Sequence, residues 1–350
     1  MIHYSCIGAT GYVCGEVLRM MVNHPDGELV NVLDTYGVGD AISTHHPALR
    51  GFYDQTILDL TEENVRETAR KSDVVMIQVP SGAVAKWAEI VLAEGSRIID
   101  IGADIRFRDV KVWEKWYGDK HTNPQMTHDA VYSMPEMNRE LAKGKKLIAN
   151  PGCYPTASTL GLQPMLKAGH IVDNTIVIDA KSGYTGAGRR PALNKLLTEA
   201  ENNFCAYALG GGHRHTPEIE QTLSELAGRE VRVTFVPHLL AVNRGIVSTM
   251  YANFMPGFDL AAVRVLYEGF YRGEEFVRVL PDGAAANLKN VKYSNYCHIS
   301  LHADAHTGRL IVVSTIDNMV KGAAGQAIQN MNIALGLEED AGLRIIPPAF

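Results

Sequence analysis

The stretch IHYSCIGATGYVCG, residues 2–15, decides the fold of the chain. Its apolar first half is typical of a buried strand, and the glycines that follow predict a tight turn into a helix ending near residue 23. Such a turn lets the backbone approach a pyrophosphate, and the helix amino terminus supplies N–H donors, although a plain tight turn is the alternative. The candidate dinucleotide ligands are Gly8, Thr10, Gly11 and Tyr12.

The rest of the first half repeats the strand–helix alternation. Apolar runs at residues 28–33, 74–79 and 97–101 are separated by helical stretches such as residues 83–92. Continuous apolar strands are typical of a parallel sheet that is covered on both faces. The alternation predicts a Rossmann-type, doubly wound α/β domain over residues 1–149.

The second half shows a different pattern. Longer strand candidates, such as residues 175–182, 246–254 and 296–304, lie closer together, and several could pair antiparallel. We therefore expect an α+β domain with a mixed or antiparallel sheet over residues 150–316. The tail is rich in Ala, Met and Ile, and it predicts a helix that returns to the first domain, which then includes residues 317–350.

Composition excludes several classes of protein. The chain has 350 residues, a net charge of -6 and 46% hydrophobic residues, which suits about two globular domains. We expect no nucleic acid partner, because a phosphate-binding protein needs a basic face. The sequence has no apolar run of membrane-spanning length and no secretory signal pattern at residue 1, so we expect a cytoplasmic protein without a membrane partner. The five cysteines form no CxxC pair, which predicts reduced thiols and no zinc site.

Asp34 bears on the choice of cofactor. It follows the second predicted strand, where a carboxylate can accept hydrogen bonds from the adenine ribose of NAD and repel the 2′-phosphate of NADP. No Arg or Lys occurs between residues 28 and 49. The alternative is that Asp34 simply starts a turn before Gly37. The first interpretation favours NAD.

The heptapeptide NPGCYPT, residues 150–156, closes an apolar strand and opens a helix-like stretch. A cysteine at a helix amino terminus lies at the positive end of the helix dipole, which favours the thiolate. Cys153 is therefore the candidate nucleophile. The alternative is a buried small residue at a strand–helix corner.

A second polar cluster, GGGHRHTPEIEQ, covers residues 210–221 and contains His213, His215 and Glu218. Two histidines and a glutamate could ligate a metal, but the spacing matches neither H-x-x-x-H nor H-E-x-x-H, so no metal is expected. The favoured interpretation is that one histidine is the acid–base partner of Cys153 and is oriented by a carboxylate.

Two further turns offer donors for an anionic substrate. Residues 179–190, DAKSGYTGAGRR, combine backbone N–H groups with two guanidinium groups, and a later turn carries another arginine. A phosphate or a carboxylate would fit such donors. The candidate substrate ligands there are Ser182, Arg189 and Arg244.

These motifs together carry a resemblance to a known family. The order GATGY, HPALRG, NPGCYPT, KSGYTGAGR, GHRHTPEIEQ, PHLL-x-x-NRGI and DNMVKGAAGQAIQNMN resembles the N-acetyl-gamma-glutamyl-phosphate reductases of arginine biosynthesis over nearly the whole chain. Aspartate-semialdehyde dehydrogenases share the architecture and chemistry of this family.

The resemblance implies an NADP- or NAD-dependent oxidoreductase that is a homodimer or homotetramer. It implies that Cys153 attacks an acyl phosphate to form a thioester, which hydride converts to a semialdehyde. His215 would be the acid–base residue, with His213 and Glu218 nearby. The resemblance also implies a substrate contact by Arg106 and cofactor contacts by Pro80, Ser81, Asn318 and Gly322.

The chain departs from the family pattern in places. Family members commonly carry Thr-Ser-Arg after the second strand, which suits NADP, whereas this chain has Asp34 there and lacks the arginine. The departures leave open a related acyl phosphate, either carrier-bound aminoadipyl phosphate or the substrate of a specialised pathway. Two other classes also stay open: a thiol hydrolase or acyltransferase that uses Cys153 and His215, and a non-catalytic dinucleotide sensor. A nicotinamide requirement for turnover discriminates among them.

Overall fold

The computed structural model describes residues 1–257 and 259–348. Its strands are β1 (Ile2–Ile7), β2 (Gly27–Asp34), β3 (Ile57–Asp59), β4 (Val74–Ile77), β5 (Arg97–Asp100), β6 (Val131–Tyr132), β7 (Leu147–Ala149), β8 (Ile171–Gly183), β9 (Phe204–Ala206), β10 (Thr234–Leu240), β11 (Ile246–Phe254), β12 (Val277–Val279), β13 (Cys297–Asp304) and β14 (Arg309–Ile316). Its α-helices are α1 (Tyr12–Met21), α2 (Ile42–His45), α3 (Glu62–Arg70), α4 (Val84–Ala93), α5 (Val110–Tyr117), α6 (Pro124–Asp129), α7 (Pro135–Ala142), α8 (Cys153–Ala168), α9 (Leu197–Ala200), α10 (Thr216–Ala227), α11 (Leu260–Phe270) and α12 (Gly325–Leu335).

Contacts between residues divide the chain into two units. The first contains Met1–Pro151 and Ala323–Arg344, and the second contains Gly152–Gly322 and residues 345–348. The predicted boundary at residue 317 differs from this division, which assigns residues 317–322 to the second unit. The reason is that Asp317 and Asn318 form ion pairs and hydrogen bonds within that unit.

The first unit is built on a seven-stranded sheet in the order β3-β2-β1-β4-β5-β7-β6, and its strand pairs are parallel. Every residue of β4 is buried, as expected for a strand covered on both faces. The strand order reverses between β1 and β4, which is the point where open α/β sheets bind ligands. The predicted Rossmann-type domain is confirmed.

The carboxyl-terminal helix α12 belongs to the first unit and is unusually polar. Its Gln326, Gln329, Asn330 and Asn332 are all fully buried. The Asn330 amide donates to the Asn150 side-chain oxygen at 3.0 Å and to a backbone oxygen at 2.9 Å. The tail is therefore helical, as predicted, although α12 begins only after a π-helical turn at Val320–Ala324.

The second unit is built on a mixed seven-stranded sheet in the order β12-β13-β14-β11-β8-β10-β9. The pairs β8–β10 and β12–β13 are parallel, and the other pairs are antiparallel. One face packs on α8 so closely that a Cβ at Gly161 would lie 2.2 Å from the Met250 methyl carbon. Alternate residues of β8, β11 and β14 point to the opposite face and are only half-buried. The predicted α+β domain is confirmed, with a mixed sheet.

No helix in the described part of the chain is long and apolar enough to cross a bilayer.

Candidate functional site

The glycine turn after β1 is fixed by close packing. Gly8 has φ +94°, and a Cβ there would lie 2.0 Å from the Gln78 carbonyl oxygen at the end of β4. Gly11 is the N-cap of α1 in an extended conformation, and Tyr12 is the first residue of the helix. A turn with glycine at positions 8 and 11, at the β1–β4 reversal and followed at once by a helix amino terminus, fits the pyrophosphate of a dinucleotide.

Asp34 lies at the end of β2 and faces this turn. Its Oδ2 accepts hydrogen bonds from the backbone N–H and the hydroxyl of Thr10, both at 2.8 Å. Its Oδ1 accepts from the N–H groups of Thr35 at 2.7 Å and Tyr36 at 3.3 Å. The carboxylate thus starts a turn, as one interpretation predicted, and it also braces the glycine turn. Its role as a ribose ligand stays a prediction.

His46 was missed by the sequence interpretation, although it lies in the HPALRG motif. Its Nε2 is 2.8 Å from the carbonyl oxygen of Ala9 in the glycine turn. A Cβ at Gly15 would lie 2.5 Å from its Nδ1. The absence of a side chain at position 15 therefore leaves room for the imidazole that supports the turn.

The loop between β4 and α4 carries Pro80 and Ser81, which are both exposed. Asp104 holds this loop, because its Oδ2 accepts from the N–H groups of Gly82 at 2.8 Å and Val84 at 3.1 Å. No local signal marked Asp104, since it lies 22 residues beyond Gly82 in the chain. The predicted cofactor contacts of Pro80 and Ser81 stay predictions.

Arg106 lies in the first unit, two residues after Asp104. Its Nη2 donates to the Ile101 carbonyl at 3.0 Å, and only 6% of the residue is exposed. Burial, reinforced by the charge of Asp104, raises the pKa of Asp100 to about 7, and the Arg106 guanidinium opposes the shift. Arg106 thus stabilises its own acidic loop, and its contact with substrate stays a prediction.

Cys153 is the first residue of α8, and extended Gly152 is the N-cap. The strand–turn–helix geometry predicted from NPGCYPT is present. Gly322 packs directly against this residue, because a Cβ at Gly322 would lie 2.7 Å from the Cys153 Cβ. The position therefore accepts only glycine without displacing the cysteine.

The amino terminus of α10 is fastened to the cysteine turn. Glu218 lies in the first turn of α10, is fully buried, and accepts a hydrogen bond from the Gly152 N–H at 2.8 Å. His215 is the N-cap of the same helix. The fold therefore brings the histidine-rich cluster near the cysteine turn, and the acid–base role of one histidine stays a prediction.

The His213 ring lies in an aromatic enclosure. Its centroid is 5.4 Å from each of the rings of Tyr154, Tyr207 and Phe235, and 5.0 Å from that of His215. Burial, assisted by the neighbouring charge of Arg214, lowers the pKa of His213 to about 4. His213 is therefore neutral near pH 7, which is unsuited to a residue that must carry a proton there.

Comparisons with known proteins identify the family. The family models "Semialdehyde dehydrogenase, NAD binding domain" and "Semialdehyde dehydrogenase, dimerisation domain" match residues 5–145 and 153–318. The N-acetyl-gamma-glutamyl-phosphate reductase of Brachyspira hyodysenteriae is 48% identical over 100% of both chains. That of Clostridium beijerinckii is 47% identical over 100% of both. The chain belongs to the N-acetyl-gamma-glutamyl-phosphate reductase family. The predicted family is confirmed.

Solved structures show the same fold at low identity. Aspartate semialdehyde dehydrogenase II from Vibrio cholerae aligns with a TM-score of 0.73 at 16% identity, over 96% of this chain and 99% of that chain. Aspartate semialdehyde dehydrogenase with NADP from Candida albicans aligns with a TM-score of 0.64 at 16% identity, over 95% of this chain and 98% of that chain. Family membership makes this chain a nicotinamide-dependent oxidoreductase.

Two further predicted site residues, Arg244 and Asn318, form an ion pair and hydrogen bonds within the second unit. Arg244 is paired with fully buried Asp317, with Nε 2.8 Å from Oδ2 and Nη2 3.1 Å from Oδ1. Asn318 accepts from the Gly245 N–H at 2.6 Å and donates to the Thr185 hydroxyl at 3.2 Å. These contacts fix the turns around β10, β11 and β14. The substrate role of Arg244 and the cofactor role of Asn318 stay predictions.

The two other predicted substrate ligands lie at either end of one loop. Ser182 is buried at the end of β8 and donates to the Gly183 carbonyl at 3.0 Å. Arg189 is exposed beyond the short 3₁₀ turn Tyr184–Ala187. Asp317 was missed as a site residue by the sequence interpretation, and its only signal was that it is the first residue of the DNMVKG motif.

Proposed function

We propose that this chain reduces N-acetyl-gamma-glutamyl phosphate to its semialdehyde and that Cys153 is the nucleophile. The observation that carries the proposal is the fastening of α10 to the cysteine turn through Glu218 and Gly152. It sets a cysteine at one helix amino terminus and a histidine at another within one braced unit. The names of relatives that are 44–48% identical supply the substrate.

The first chemical step follows from the setting of Cys153. The positive end of α8 favours the thiolate, which attacks the acyl carbon of the substrate. A carbon–sulfur bond forms, the carbon–oxygen bond to the phosphoryl group breaks, and inorganic phosphate leaves with the electron pair. The product is a thioester on Cys153.

The second step returns the cysteine to its thiolate. The hydride for the thioester carbonyl would come from a reduced nicotinamide held by the glycine turn. His215 donates a hydrogen bond or a proton to the oxygen on which negative charge develops. The oxygen then returns the proton to His215 as the carbon–oxygen double bond reforms, the carbon–sulfur electron pair leaves with the sulfur, and the semialdehyde departs. His215 is assigned this role because His213 is held neutral by its enclosure.

Arg106, Ser182, Arg189 and Arg244 are proposed to contact the substrate. Guanidinium groups can bind its phosphate and carboxylates by paired N–H donors. The pairing of Arg244 with Asp317 supports an orienting role for that residue, since one carboxylate already fixes its Nε and Nη2 groups.

The cofactor is proposed to lie on the glycine turn of the first unit, at Gly8, Thr10, Gly11 and Tyr12, with Pro80, Ser81, Asn318 and Gly322 toward the nicotinamide. Asp34 supports NADH over NADPH, because its carboxylate lies at the end of β2 and opposes a 2′-phosphate. The chain has no Arg or Lys between residues 28 and 49 that would offset this repulsion.

A second copy of the chain is proposed to cover the half-buried face of the second sheet. That face carries the alternating side chains of β8, β11 and β14, which include Val177, Val247, Tyr251, Ile311 and Val313. Apolar residues on an uncovered sheet face support burial in an oligomer. We expect a homodimer or a homotetramer of these dimers in the cytoplasm, which light scattering on the purified protein would distinguish from a monomer.

The proposed function is tested by running the reaction backwards. The wild type is given N-acetylglutamate semialdehyde and phosphate with NAD or NADP, and reduction of the nicotinamide is followed by absorbance. We expect phosphate-dependent reduction that is lost in Cys153→Ala and lowered roughly 10²–10⁴-fold in His215→Asn. Phosphate-independent turnover, or hydrolysis of esters without nicotinamide, would instead identify a thiol hydrolase.

A further inference from the structure

A line of hydrogen bonds joins the two histidines to the residue that follows the nucleophile. The His215 backbone N–H donates to His213 Nδ1 at 3.0 Å. His213 Nε2 is 3.3 Å from the Tyr207 hydroxyl, which is 3.2 Å from the Tyr154 hydroxyl. The Tyr154 hydroxyl in turn donates to the His238 carbonyl at 3.4 Å.

The direction of these bonds fixes the tautomer of His213. Because Nδ1 accepts from a backbone N–H, it carries no proton. The single ring proton of the neutral imidazole is therefore on Nε2 and is donated to Tyr207. Tyr207 then donates to Tyr154, and Tyr154 donates to a carbonyl, so each hydroxyl is both donor and acceptor.

The surroundings keep this arrangement from titrating near neutrality. The titratable groups that face His213 are Tyr154, Tyr207 and His215, and the charged neighbour is Arg214. Burial raises the pKa of Tyr154 above its ordinary range and that of Tyr207 to about 12, so both tyrosines stay neutral. A second ring proton would be on Nδ1 of His213. It would face the His215 N–H and leave that donor without a lone pair to accept its hydrogen bond.

We propose that His213 is a positioning residue, a neutral Nε2–H imidazole that holds the backbone of His215 and does not carry the transferred proton. The proposal rests on the function proposed above, in which His215 is the acid–base residue. Together with the bond from Gly152 to Glu218, this line of bonds braces α10 against α8 on both sides of Cys153. In this pair, His215 carries the proton and His213 fixes the position of the His215 backbone.

Two substitutions separate the two ring nitrogens. The amide oxygen of His213→Asn can replace Nδ1 as the acceptor for the His215 N–H. The amide of His213→Gln reaches the place of Nε2 and can contact Tyr207, but it leaves the His215 N–H without its acceptor. The unsatisfied His215 N–H should shift His215 from its position and lower kcat roughly ten- to hundredfold.

We therefore expect kcat to be lowered less than tenfold in His213→Asn and roughly ten- to hundredfold in His213→Gln, with KM little changed in both. The ionisation seen in the pH profile of kcat/KM should persist in His213→Asn, because it belongs to His215. Equal or greater loss in His213→Asn than in His213→Gln, or disappearance of that ionisation, would overturn the proposal.

A measurement on the wild type does not depend on turnover or on the folding of a variant. In protein labelled with ¹⁵N-histidine, the ¹⁵N shifts distinguish a protonated from an unprotonated ring nitrogen, and His213→Asn identifies the His213 signals. We expect a neutral ring with the proton on Nε2 from pH 5.5 to 8. A doubly protonated ring or a proton on Nδ1 at pH 7 contradicts the proposal. Failure of the proposed function would appear instead as absent turnover with this tautomer intact.

Discussion

At the scale of single residues, two charges act on the cysteine turn in opposite directions. The amino terminus of α8 stabilises a thiolate at Cys153, whereas the carboxylate of Glu218 lies one residue away and disfavours it. Glu218 therefore contributes geometry and not activation of the sulfur. Its bond to the Gly152 N–H fixes the turn, and its position in α10 sets it three residues from His215.

Asp34 is proposed to set the cofactor preference. We expect the wild type to use NADH with kcat/KM on the order of 10²-fold above that for NADPH, because a 2′-phosphate would face a carboxylate in a partly desolvated site. The double variant Asp34→Ser with Thr35→Arg should shift the preference toward NADPH. The measurement is kcat/KM for both cofactors in both proteins.

Thr10→Val is the control for this prediction. It removes the hydroxyl that donates to Asp34 but leaves the carboxylate, so it should weaken both cofactors without changing their ratio. Equal or better use of NADPH by the wild type would refute the assignment to Asp34.

At the scale of elements, the site is made by three chain segments that meet at one residue. The first turn of α8 carries Cys153, the first turn of α10 is fastened to it, and the π-helical turn Val320–Ala324 packs on it at Gly322. These contacts are made by the Gly152 N–H, the buried Glu218 carboxylate, and the Cα and Cβ of Cys153.

Gly322→Ala should displace the nucleophile. The added Cβ would lie 2.7 Å from the Cys153 Cβ and 3.1 Å from its Cα, and no change of rotamer relieves such contacts. A displacement of this kind can cost on the order of 10²-fold in kcat. The rate of Cys153 alkylation by iodoacetamide should change as well.

Gly269→Ala is the matched control, because a Cβ at Gly269 in α11 meets nothing within 4 Å. We expect it to leave kcat unchanged and to raise the free energy of unfolding by up to about 1 kcal/mol. If Gly322→Ala proves as active as Gly269→Ala, the close packing of the π-helical turn on Cys153 has no role in catalysis.

Asp100, at the end of β5, should make stability depend on pH. Its carboxyl has a pKa of about 7 in the folded chain against about 3.9 in the unfolded chain. The unfolded chain therefore releases this proton first, and the folded state loses stability as pH rises from about 4 to 7. Asp100→Asn removes the loss, and its amide oxygen can still accept from the Gly102 N–H.

The Tm of Asp100→Asn should exceed that of the wild type at pH 8, and the difference should shrink toward pH 4. Exposed Asp129 offers a control, since Asp129→Asn should change Tm by the same small amount at both pH values. A difference between Asp100→Asn and the wild type that does not vary with pH would show that Asp100 is ionised in the fold throughout.

At the scale of the whole molecule, the sequence predicted both sheets and the elements that bear the site. The apolar runs of β1, β4 and β5 specify a parallel sheet, and the residues around Cys153 specify a helix start. The partners of polar groups could not be predicted, because they come from distant segments. Tyr154 contacts Tyr207 across 53 residues, and Arg244 pairs with Asp317 across 73 residues.

Each unit of the molecule carries one part of the proposed chemistry. The first unit has the glycine turn, braced by Asp34 and His46. The second unit has the cysteine turn, braced by Glu218. In the proposed reaction the acyl group passes through Cys153, and this step can be tested without the nicotinamide.

The most direct test mixes wild-type protein with N-acetyl-gamma-glutamyl phosphate in the absence of nicotinamide. Phosphate release is followed by rapid quench, and the acylated peptide is identified by mass spectrometry. We expect a stoichiometric burst of phosphate and an acyl group on the peptide that contains Cys153. We expect this acyl group to be released as semialdehyde when NADH or NADPH is added. No burst, or an acyl group carried by any residue other than Cys153, would contradict this expectation.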